Sequence, residues 1–185
     1  MLEGLMKDMR TRMDKCIDAF RHELGGLRTG RASADLLAPV MVDAYGSQMP
    51  LAQCGSVSVA DSRLLVVSVW DKSVVSAVEK AIRDAGLGLN PQVDGQNIRL
   101  SLPDLTAERR QELVKLARKY AEQGRVAVRN VRRDGMDELK KLQKDGEISE
   151  DDARRASDQV QKITDDFVAS VDKVLADKEK DILHV

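Results

Sequence analysis

Apolar residues recur near the N-terminus at steps of three and four: Leu2, Met6, Met9, Met13, Cys16, Phe20, Leu24 and Leu27. Such spacing lines one face of a helix that packs lengthwise on other helices, and it predicts a helix ending near Arg28. Gly25-Gly26 opposes this run, since an interior glycine costs about 1 kcal/mol against alanine. A second long helix is predicted from Thr106, a suitable N-cap with Glu108 at the positive end of the helix dipole, to about Lys144. It would be roughly 58 Å long. Lys144-Asp145-Gly146 makes a turn, and Ser149 followed by Glu150, Asp151 and Asp152 starts a third helix. Ala156, Val160, Ile163, Phe167, Val171 and Val174 supply its apolar stripe.

The middle of the chain has a different period. Val40, Val42 and Ala44 alternate with Met41, Asp43 and Tyr45 until Tyr45-Gly46-Ser47 breaks the run, which is strand then turn. Val57 to Val59, Leu64 to Trp70 and Ile98 to Leu102 read as further strands, and Ser73 to Ala85 as an amphipathic helix ended by Gly86. The expected fold is therefore α+β: a long antiparallel three-helix bundle (residues 1–29 plus 106–185) with an inserted small β/α/β domain (residues 31–104). The chain crosses between them twice, at Thr29, Gly30 and Arg31 and again at Pro103, Asp104 and Leu105, which makes a two-strand hinge.

Composition sharpens this division. All four prolines, Pro39, Pro50, Pro91 and Pro103, lie in the middle of the 185 residues, leaving both flanks free for uninterrupted helices. The 30 Lys+Arg balance 31 Asp+Glu to a net charge of -1, which excludes a uniformly basic nucleic-acid coat; any basic patch must be local. The charge-free run Leu64 to Trp70 falls far short of the roughly 20 residues a membrane helix needs, so no membrane partner is expected. Glu3, Lys7, Asp8, Arg10 and Arg12 stand where a signal peptide would carry an apolar core, and a cytoplasmic protein is expected. Cys16 and Cys54 match no metal or redox spacing and read as reduced structural thiols.

Signals of catalysis in the sequence are poor. His22 lies on a helix and His184 in the tail, so no Ser-His-Asp or Cys-His arrangement suggests itself. Gly86-Leu87-Gly88-Leu89-Asn90-Pro91 lacks the third glycine of a dinucleotide loop and reads as a turn after a helix. Asp151-Asp152 and Asp165-Asp166 diverge around a helix and serve capping and solvation. No enzyme activity, metal or cofactor is expected.

The distribution of charge says more than its total. Residues 106–134 hold nine Lys/Arg and four acids, a local net of +5; residues 137–181 hold nine basic and fourteen acidic residues, a net of -5. Within the basic segment Arg118, Arg125, Arg129 and Arg132 fall within about 60° of one another on a helix, and Arg133 widens the face slightly. Leu113, Leu116, Tyr120, Gly124, Ala127 and Val131 are expected on the opposite, buried side. Such arginines can simply solvate the helix or pair with acids of the third helix. A row of planar guanidinium forks on a rigid helix also matches a line of phosphates. Because only 3% of residues are aromatic, backbone and shape recognition of folded RNA is favoured over base stacking.

Motifs in order along the chain resemble the bacterial ribosome recycling factor family. They include Leu27-Arg28-Thr29-Gly30-Arg31-Ala32-Ser33, Trp70-Asp71-Lys72-Ser73, Leu87-Gly88-Leu89-Asn90-Pro91, Pro103-Asp104-Leu105-Thr106 and Val128-Arg129-Asn130-Val131-Arg132-Arg133-Asp134. The resemblance implies a three-helix bundle with a hinged β/α/β domain, a shape compared with transfer RNA. It implies a non-enzymatic factor, without cofactor and acting as a monomer, that binds the ribosome after termination with its bundle on large-subunit ribosomal RNA. Elongation factor G and GTP then drive subunit separation, so that messenger and deacylated transfer RNA leave. The RNA-facing residues it implies are Arg129, Arg132 and Arg133, with Arg28 and Arg31 near the hinge as further candidates, and the arginine row adds Arg125 and Arg118. Gly25-Gly26, Gly124 and Gly135 depart from the family's pattern and are expected to weaken the helices. Two other readings are a helical adaptor or chaperone-like module binding another protein's helix, and an enzyme housed in the α/β domain.

Overall fold

A computed structural model of the chain describes residues 1–29 and 31–184. Gly30, expected in the hinge, lies outside the described residues. The fold is α+β, with four α-helices and six strands among the described residues. It divides into two compact units: Met1–Leu24 with Lys115–Lys178, and Gly25–Val114 with Glu179–Val185.

The first unit is built from the greater part of α1 (Leu2–Gly25), α3 (Ala107–Lys144) and α4 (Glu150–Leu183), while the start of α3 and the end of α4 belong to the second. Helix α1 stops at Gly25, three residues before the expected end, where the two glycines no longer favour helix. Its seam also differs from the expected one: Ile17 is buried, while Leu2 and Cys16 are only half-buried. The N-caps are the predicted ones. Thr106 Oγ1 accepts from the Arg109 amide at 3.1 Å, and Ser149 Oγ from the Asp152 amide at 3.1 Å. Gly146, at φ 74°, turns the chain between α3 and α4. Met9, Met13, Val128, Val160 and Ile163 fill the bundle core, and Phe167 packs against it half-buried. Burial pushes the thiols of Cys16 and Cys54 above the usual range, and both are free.

In the second unit, β3 (Gly55–Asp61), β4 (Leu64–Val69), β6 (Asn97–Ser101) and β5 (Asn90–Asp94) form an antiparallel sheet in the order β3-β4-β6-β5. A separate hairpin joins β1 (Met41–Ala44) to β2 (Ser47–Pro50). Sequence reading did not anticipate β2 and β5. Both carry prolines, Pro50 and Pro91, and neither has a buried alternating face, so their strand character comes from pairing with β1 and β6. Val75, Val78 and Ile82 of α2 (Val75–Asp84) join Leu65, Val67, Val69, Ile98 and Leu100 in one core.

Both chain connections are tied down within this unit. Thr29 is buried and its hydroxyl donates to the Arg31 carbonyl at 3.0 Å while accepting from the Arg31 amide. On the return, Asp104 pairs with Arg63 at 2.5 Å and the Leu105 carbonyl accepts from Arg110 Nε at 3.4 Å. Arg110 also donates to the Ile182 and His184 carbonyls, holding the end of α4. No helix among the described residues is long and apolar enough to cross a membrane.

Candidate nucleic-acid interface

The arginine row rides on α3, whose 38 residues form one uninterrupted helix. What makes the helix rigid is its packing on both bundle neighbours. Gly124 and Gly135 lie on that packed side, where a Cβ at Gly124 would touch Phe20 at 3.5 Å and one at Gly135 would come within 2.3 Å of Met9 Sδ. The buried line runs through Ala117, Ala121, Gly124, Val128 and Val131. At 100° per residue it is centred roughly 100° from the arginines, not opposite them. Leu116, Tyr120 and Ala127, expected at the centre of the buried side, are only half-buried on its flank. Small residues set the line because Gly124 and Gly135 leave room for the Phe20 and Met9 side chains of α1, so size, not hydrophobicity alone, decides which residues end up innermost.

This rotation places the arginine row along the border with α4 and separates its members. Arg125 is a structural residue. Its side chain is 20% exposed; Nη2 lies 2.7 Å from Asp172 Oδ1 of α4, and Nη1 lies 3.0 Å from Glu122 Oε2. Burial works to lower its pKa, but hydrogen bonds to Asp172 and Glu122 outweigh it and hold the guanidinium above its ordinary value. Pairing with acids of the third helix therefore accounts for Arg125. Arg129 is half exposed, with Nη1 3.3 Å from Glu122 Oε1. Arg132 Nη1 donates to Gln161 Oε1 at 3.2 Å, and Gln161 in turn donates to Asp165 at 2.8 Å. Arg133 is exposed and makes no hydrogen bond or ion pair among the described residues. Arg118 is exposed and engaged in a contact of its own.

Arg28 and Arg31 belong to the second unit and not to the row. Arg28 is half-buried, its Nε lacks a hydrogen-bond partner, and its guanidinium is held below the ordinary value by burial, with Asp104 opposing and Arg110 and Arg63 adding like-charge repulsion. Arg31 is exposed, its guanidinium 3.5 Å from His184 Nε2. His22 is exposed on α1, as its helical position predicts.

Sequence reading passed over Glu122. Its signal was legible, because positions three and seven residues before Arg125 and Arg129 lie one and two turns away on the same face. Asp172, by contrast, is 47 residues from Arg125 and only tertiary packing pairs them.

The arrangement offers exposed guanidinium groups on a stiff helix, suited to oxyanions spaced along a backbone. Comparison with known proteins agrees with this architecture. The family model described as ribosome recycling factor matches residues 20–183. The ribosome-recycling factor of Bartonella bacilliformis is 61% identical over 98% of both chains, and that of Sinorhizobium medicae 59% identical over the full length of both. A solution structure of the ribosome recycling factor superposes with a TM-score of 0.78 at 43% identity, covering 100% of this chain and 98% of the other. Models for the T. thermophilus ribosome recycling factor and the E. coli elongation factor G bound to the E. coli post-termination complex include a chain with a TM-score of 0.70 at 47% identity, covering 99% of each. With the helices, the sheet and the arginine row in place, this full-length agreement in sequence and fold assigns the chain to the ribosome recycling factor family.

Proposed function

We propose that this chain binds post-termination ribosomes through the exposed arginines of α3 and, with elongation factor G and GTP, separates the subunits so that messenger and deacylated transfer RNA leave. As a family member it is a translation factor and not an enzyme. The observation that carries the RNA contact is the edge formed by Arg129, Arg132 and Arg133, exposed or half-exposed on one stiff helix with Arg133 unpaired among the described residues. Guanidinium forks grip phosphate bidentately, and a helix holds them at fixed spacing, so large-subunit ribosomal RNA is read by backbone and shape. Arg118 and Arg125 extend the row, Arg125 mainly as its anchor to α4. Arg28 and Arg31 offer a further basic contact beside the connections.

The same reading makes residues 1–29 and 106–185 the ribosome-binding bundle and residues 31–104 a domain moved about Thr29, Gly30, Arg31, Pro103, Asp104 and Leu105. A monomer, acting in the cytoplasm without a cofactor, suffices. The residues at the centre of the bundle are closed within its own core, as with Met9 at 1% and Val160 at 0% exposure, which favours this reading over a module that receives another protein's helix.

Subunit splitting on post-termination ribosomes, with the chain, elongation factor G and GTP each omitted in turn, tests the proposal; splitting that proceeds without the chain would end it. Arg132→Ala and Arg133→Ala are each expected to weaken ribosome binding and to lower the slope of log K against log salt by about one, with the fold intact. Unchanged affinity in both variants would remove the assigned face.

A further inference from the structure

We propose that Glu122 sets the affinity of the arginine row: its carboxylate occupies the guanidinium groups of Arg125 and Arg129 as an internal stand-in for phosphate, and RNA must displace it from Arg129 to bind. This rests on reading the row as a phosphate-binding face.

The geometry is asymmetric. Glu122 Oε2 faces Arg125 at 3.0 Å and Oε1 faces Arg129 at 3.3 Å, so one carboxylate spans two turns of α3 and both guanidinium groups. Arg125 has a second carboxylate, Asp172, at 2.7 Å, and is largely covered. It keeps its place whichever way Glu122 turns. Arg129 pairs with Glu122 and is half exposed, so it is the member free to exchange a carboxylate for a phosphate. A carboxylate and a phosphodiester present similar oxygen pairs to the same fork, and they compete for it directly. The exposed ion pair is weak enough to yield, yet it tempers binding, because the released carboxylate remains beside the incoming phosphate. Among the described residues Glu122 forms its hydrogen bonds and ion pairs with Arg125 and Arg129 of its own helix, so neutralising it leaves the bundle standing.

The test measures binding to post-termination ribosomes across a salt series for the full chain and for Glu122→Gln, each with and without Arg129→Gln. Glu122→Gln is expected to tighten binding about two- to fivefold at low salt, the range an exposed ion pair supports, and to steepen the salt dependence. In the Arg129→Gln background that gain disappears. Unchanged or weaker binding by Glu122→Gln overturns the proposal. So does a gain that survives Arg129→Gln, since this would be a general charge effect. If Arg129→Gln, Arg132→Ala and Arg133→Ala all leave ribosome affinity untouched, the phosphate-binding face itself fails, and the two failures are told apart.

Discussion

Tyr45 holds φ at 54°, a conformation that a bulky L-residue rarely adopts, and Gly46 follows at φ 78° in the turn between β1 and β2. Two-residue turns of this kind favour Asn-Gly, so the tyrosine at the first place calls for a compensating contact. Its hydroxyl donates to Asp71 Oδ2 at 2.5 Å, and Asp71 also accepts from the Ser73 amide at 2.9 Å and hydroxyl at 2.8 Å. The Tyr45 hydrogen bond, then those from Ser73, hold the Asp71 carboxyl below its ordinary value; the same bond raises the Tyr45 phenol. A lowered carboxyl contributes stability above its unfolded pKa of about 3.9, lost as pH falls through the folded value. A raised phenol contributes below about 10, lost as pH rises through its folded value. Tyr45→Phe should therefore lower Tm between pH 5 and 9, and the difference from the parent should narrow in both acid and alkali. A pH-independent difference in thermal melts would count against this link.

At the scale of the element, α3 shows how two glycines in one helix differ in meaning. A Cβ at position 124 meets Phe20 at ordinary contact distance, whereas one at 135 comes within 2.3 Å of Met9 Sδ, and Met9 is 1% exposed. Alanine gains about 1 kcal/mol of helix propensity over glycine at either place. Gly124→Ala should keep most of that gain and raise Tm by several degrees, while Gly135→Ala must repack Met9 and gains less or loses. Thermal melts of the two variants decide it; equal gains would show that Met9 yields freely. The expectation that these glycines simply weaken the helix holds for propensity alone. In the bundle they lie on the packed side, where they allow Phe20 and Met9 to approach.

Over the whole molecule, the bundle core and the sheet core share no residue. Val160→Ala, at a position with no exposure, should cost about 2 kcal/mol and reduce hydrogen-exchange protection along α3 and α4, while amides of β4 and β6 keep theirs. Equal loss in both would indicate a single cooperative unit. Local periodicity, side-chain capping and backbone freedom suffice for the three long helices, the caps at Thr106 and Ser149, the turn at Gly146 and the central strands, read as Leu64–Trp70 and Ile98–Leu102 and formed over Leu64–Val69 and Asn97–Ser101. The sequence by itself also placed Arg118, Arg125, Arg129, Arg132 and Arg133 on one face, since helical spacing alone does that. Tertiary structure decided the rest. Strands β2 and β5 exist through pairing with their neighbours. Which side of α3 is innermost follows from how side chains of α1 such as Phe20 and Met9 pack against its small residues. Asp172, distant in sequence, turns Arg125 into an anchor, while Glu122 holds Arg129 and Arg133 stays open. Charge spacing names the candidates, but only the neighbours brought by folding determine which of them can still take a phosphate.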